Sequence, residues 1–108
     1  MDEDTLKRTL EYLQELSNYY FSVGGHDRWV TMEKVREVFR PLSDADALQI
    51  VNANTDEFLA HLLAVVGLRG PAFAAAIKRY TALTTERERE LHKHIVRVTK
   101  YKKSERGT

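Results

Sequence analysis

Apolar residues recur along the chain at three- and four-residue steps, the period of helices packed on one face. Leu6, Leu10, Leu13, Leu16 and Tyr20 mark a first helix over about 4–20, with acids at its start and Gly24-Gly25 after its end. A second begins at Thr31 as cap, with Val30 and Val35 as a hydrophobic staple and Val35, Val38 and Phe39 facing inward. Pro41 ends it, since the residue before a proline, Arg40, is pushed out of helical geometry. The aromatic and β-branched stretches 20–23 and 29–32 also fit a short β-hairpin within 20–32, a competing reading of that region.

Ser43 with Asp46, and Asn54 with Glu57, have capping-box spacing and open a third and a fourth helix. The fourth, within 55–66, is apolar nearly all round through Phe58, Leu59, Leu62, Leu63, Val65 and Val66. A helix without a polar face belongs at the centre of a bundle. Gly70-Pro71 opens a fifth helix, with the proline where its missing N–H costs least. Its stripe is Phe73, Ala76, Ile77 and Tyr80. Thr85 with Glu88 reads as the cap of a sixth helix to about residue 100, with Leu91, Ile95 and Val98 inward. The fold expected is all-α: one compact bundle of five to six short helices over 1–101, followed by a basic flexible tail, 102–108.

Composition agrees with a single folded unit: 108 residues, 43% hydrophobic and 31% charged. There is no cysteine, which excludes disulfides and thiolate chemistry. The start is acidic rather than basic and no apolar run is long enough for a bilayer, so the expectation is a cytoplasmic protein without membrane contact. Net charge of +1 conceals a division. Residues 1–57 carry 6 basic against 12 acidic side chains, and residues 58–108 carry 11 against 4. Such asymmetry points to a charged partner for one half or the other, or to association between copies.

The basic half has one ordered pattern. Arg89, Lys93, Arg97 and Lys100 lie at steps of four, four and three, which makes one helical stripe. It is about 16 Å long at the helical rise, a span that covers several phosphates of a nucleic-acid strand. Lys102, Lys103 and Arg106 extend it, and Lys78, Arg79 and Arg69 add cations upstream. The same stripe also fits an ordinary solvated face, with Glu86, Glu88 and Glu90 as local partners.

Residues 58–80 have a second pattern. Leu62, Val66, Gly67, Leu68 and Phe73 occupy apolar and glycine places such that 67–80 is similar to the helix-turn-helix of bacterial regulators over about fourteen residues. That resemblance implies a DNA-reading helix from Pro71. Leu63 stands where small residues are usual, and Ala72, Ala74 and Ala75 have no groups to read base edges. Arg69, Lys78 and Arg79 would then contact phosphate.

No arrangement for catalysis, metal or cofactor emerges. His92 and His94, two apart on a helix, point to different faces. His61 lies in the apolar fourth helix and His26-Asp27 in a glycine turn. No phosphate-binding loop, dinucleotide pattern or zinc-protease motif occurs, and no small-molecule substrate is evident. The expected function is therefore a non-enzymatic nucleic-acid-associated protein. The alternative is a protein-interaction module, an inhibitor or adaptor, using the acidic first half and the aromatics Tyr12, Tyr19, Tyr20, Phe21 and Trp29.

Overall fold

The structure is a computed structural model that describes the backbone of residues 1–106 and the side chains of residues 1–97. The described residues form five α-helices and no strand: α1 (Glu3–Ser22), α2 (His26–Phe39), α3 (Asp44–Ala53), α4 (Glu57–Val65) and α5 (Pro71–Arg106). The all-α expectation holds. The expected sixth helix does not exist as a separate element, because α5 runs unbroken through Thr85. Between Pro71 and Arg106 there is no glycine or second proline to stop it. At the expected break, Thr84 Oγ1 accommodates itself within the helix by donating to the carbonyls of Tyr80 and Thr81.

No hairpin forms over 20–32. Tyr20 to Ser22 complete α1, and α2 begins at His26, five residues before the expected cap. Gly25, at φ 57°, takes the left-handed angle that turns one helix directly into the next. Thr31 is thus an interior helical residue, buried, with its hydroxyl donating to the carbonyl of Asp27. At the other end of α2, Arg40 keeps right-handed helical angles despite the proline that follows. The helix ends because Pro41 has no N–H to continue the ladder.

Other start signals were legible. Ser43 Oγ accepts the Asp46 N–H at 3.1 Å, and Pro71 is the first residue of α5. The fourth helix is capped by Asp56, whose carboxylate accepts the Leu59 N–H at 2.9 Å. Asn54, buried, closes a turn instead, accepting from the Asp56 N–H and donating to the Asp56 carbonyl.

The core joins all five helices: Leu13 and Leu16 of α1, Val35 and Phe39 of α2, Ile50 and Val51 of α3, Leu59, Leu62 and Leu63 of α4, and Ala72 and Ala76 of α5. The alanines let α5 lie close against α3 and α4. The expectation that α4, without a polar face, is the central helix packed on several sides is not confirmed: it packs against α5 and α1. Phe58 and Val65 are exposed, and α4 buries Leu59, Ala60, Leu62 and Leu63 on one side. The helices enclose a body from which the second half of α5 emerges. From Glu86 to Arg97 every residue is exposed, and Leu91 and Ile95, expected to face inward, meet solvent. The protrusion accounts for a longest dimension of 65 Å against 31 and 24 Å for the other two.

Candidate nucleic-acid interface

The basic residues singled out from the sequence separate into three groups. The first is the protruding helix. Among the described residues its last side-chain tie to the body is Arg87, whose Nε donates to Glu57 Oε1 at 2.9 Å. Beyond it Arg89, Lys93 and Arg97 are exposed, as is every residue from Glu86 to Arg97. Lys93 Nζ lies 3.4 Å from Glu90 Oε1, a long exposed pair that leaves the ammonium in water. Because α5 is continuous, Lys78 shares this helix. At 100° per residue, Lys78, Arg89, Lys93 and Arg97 fall within about 100° of one another. The backbone at Lys100, Lys102, Lys103 and Arg106 is helical, and their side chains lie outside the described residues.

Arg79 belongs to a second group, which serves the fold. Its Nε donates to the carbonyl of Asn54 at 2.7 Å, at the end of α3. Arg28 and Arg36 do the same elsewhere. Arg28 Nε donates to Tyr20 and Val23 at the end of α1, with its guanidinium 4.9 Å from the Tyr20 ring centre. Arg36 Nε donates to Val66 at the end of α4 at 2.8 Å. None of these three helices has a basic residue in its own last turn. The positive charge that suits a helix C-terminus is supplied by a neighbouring element instead.

The third group is one the sequence did not reveal. Arg69 lies just before α5, separated from Arg97 by about 40 Å of helix at 1.5 Å per residue, so it takes no part in the stripe. It lines a cavity of about 260 Å³ together with Arg36, Arg40 and Asp44, floored by Phe39, Leu68 and Ala72. Arg36 and Arg40 are one helical turn apart in the sequence, but nothing in the spacing connects them to Arg69.

The stretch similar to a helix-turn-helix forms two packed helices, α4 and α5, joined through Gly67 at φ 75° and Gly70 at φ 62°. The helix after the turn buries Ala72 and Ala76 and exposes Phe73, Ala74 and Ile77, a surface without base-reading groups. The histidines stay apart. His61 sits edge-on to Phe21 and beside Tyr80, with ring centres at 5.5 and 5.2 Å, and His26 stacks on Trp29 at 6.0 Å. Among the described residues no cluster of His, Asp or Glu could hold a metal ion, and no helix is long and apolar enough to cross a membrane. No protein-family model matches the chain, and neither the curated proteins nor the solved structures contain a match.

Proposed function

We propose that this chain is a non-enzymatic nucleic-acid-associated protein that contacts the phosphate backbone through α5, as a small regulator or a helical subunit of a nucleoprotein complex in the cytoplasm. The observation that carries the reading is the exposure of Arg89, Lys93 and Arg97, with Lys78, along one helix that projects from the body. A projecting helix about one nanometre across fits a groove or lies along a strand without steric conflict. A row of exposed cations at helical spacing suits contact with successive phosphates, which sets position without reading sequence. Four phosphate contacts give a log affinity that falls with log salt at a slope of about −3.6. Fluorescence anisotropy with duplex DNA and single-stranded RNA across a salt series tests this. Arg89→Glu/Arg97→Glu should weaken binding to every sequence and flatten the slope. Absence of binding at low salt, or equal binding by the variant, rejects the proposal.

A second reading, a protein-interaction module, has its own support. Trp29 is 58% exposed, and Tyr12 and Tyr19 lie seven residues apart on α1 with the exposed Glu15 between them. Exposed Trp and Tyr beside acids form the kind of patch that anchors a basic protein partner. Quantitative capture with wild-type and Trp29→Ala baits separates the cases. A partner held equally by both baits does not use this surface.

A further inference from the structure

Among the described residues, the large apolar side chains that α5 leaves exposed are Phe73 (44%), Ile77 (45%), Leu91 (52%), Ile95 (53%) and Val96 (37%). All but Val96 fall within about 40° of one another at 100° per residue. They make one stripe that starts on the body and continues onto the protruding half. The stripe lies about 170° from the centre of the basic one. Its spacing is symmetric about Thr84: Ile77 and Leu91 are each seven residues away, and Phe73 and Ile95 are each eleven away.

We propose that α5 pairs with α5 of a second copy of this chain, antiparallel, about a two-fold axis at Thr84. The two-fold sets Ile77 against Leu91 and Phe73 against Ile95 of the other copy, twice over, with small threonines at the crossing. Apolar residues placed symmetrically about one position let a two-fold contact set apolar against apolar on both sides, since an isologous patch must complement itself. The stripe from Phe73 to Ile95 is about 33 Å long at the helical rise. Two such faces at a helix-packing distance bury on the order of 1,000 Å², the lower limit for a specific interface.

Charge selects the antiparallel direction. Parallel pairing would set the two protruding segments side by side, each with Arg89, Lys93 and Arg97. Antiparallel pairing about Thr84 keeps the two sets of cations at opposite ends of the pair. The basic faces remain outward on both copies. The pairing stands apart from the nucleic-acid reading, since it uses the opposite face of the helix, and it is tested without nucleic acid.

Sedimentation equilibrium of the full chain at about 100 µM, a concentration suited to an interface of this size, should give twice the 12.5 kDa chain mass. Ile77→Glu and Leu91→Glu should each give the single mass with unchanged helical circular dichroism. The chain has no cysteine, so introduced ones report register. Under mild oxidation Thr84→Cys should form a covalent dimer. An equimolar mixture of Ile77→Cys and Leu91→Cys chains should cross-link, and neither should do so alone. A wild-type monomer at that concentration overturns the proposal. So does cross-linking of Leu91→Cys alone at the yield of the mixture, which would indicate parallel pairing.

Discussion

Arg79 Nε donates to the main-chain oxygen of Asn54 at 2.7 Å, across 25 residues of sequence, and so fastens the first third of α5 to the end of α3. Asn54 is buried and is the C-cap residue of α3, its N–H donating to the Ile50 carbonyl while its own carbonyl accepts from Arg79. Removing the donor leaves that oxygen short of a partner inside the body. Arg79→Ala should therefore destabilise the fold by about 1–3 kcal/mol in urea unfolding. Arg89→Ala, on the protruding segment, should change it by less than about 0.5 kcal/mol. Equal effects would mean that the two arginines do not divide into structural and surface roles.

The one-sided burial of α4 gives a contrast within a single helix. Leu62 is fully buried and Val65 is exposed, although both are large apolar residues three apart. Leu62→Ala should cost about 2–5 kcal/mol through lost transfer energy and the cavity left behind. Val65→Ser should be near neutral. A comparable loss at Val65 would mean that another element covers that side in solution.

Ser17 is buried in α1, and among the described residues its hydroxyl has no hydrogen-bond partner. Folding strips water from that oxygen without replacement, at a cost of about 1–3 kcal/mol. Ser17→Ala keeps the helix and removes the unsatisfied group. A rise in melting temperature is expected, and a fall would show that the hydroxyl is bonded in solution.

Asp2 caps α1 by accepting the Thr5 N–H at 2.7 Å. That bond holds its carboxyl below the usual aspartate value of 3.8. A folded-state pKa below the unfolded one gives stability that is present above pH 3.8 and lost as pH falls through the lower, folded value. Amide exchange at Thr5 should accelerate when the pH drops below that range, relative to amides deep in α1. Asp2→Asn, which keeps an acceptor without the charge, should remove the pH dependence and retain the cap.

Sequence pattern revealed the helices whose boundaries are set by local chemistry. Ser43 and Pro71 carry their own reason for starting a helix, and both do so. The pattern failed where distant residues decide. Thr85 and Glu88 have capping-box spacing, but a cap needs a break in the preceding helix, and 72–84 contains no residue that makes one. Leu91 and Ile95 have the period of a buried face, yet period says only that they share a side. Whether anything lies opposite depends on where the body ends, near Arg87. In the basic set, the stripe of Arg89, Lys93 and Arg97 was legible because helical spacing is local. The role of Arg79 and the meeting of Arg69 with Arg36 and Arg40 were not, because each depends on tertiary packing.

The protruding part of α5 has no body to hold its backbone in shape, and a free peptide of its length would be only marginally helical in water. What such a peptide lacks is a first turn. Here that turn is already fixed, since residues 71–87 are packed and hand their hydrogen-bond ladder to the next residue. In the unpaired chain each further residue needs only propagation, near thermodynamic balance, so the helical length of this arm should shorten smoothly with rising temperature while the body still melts as a unit.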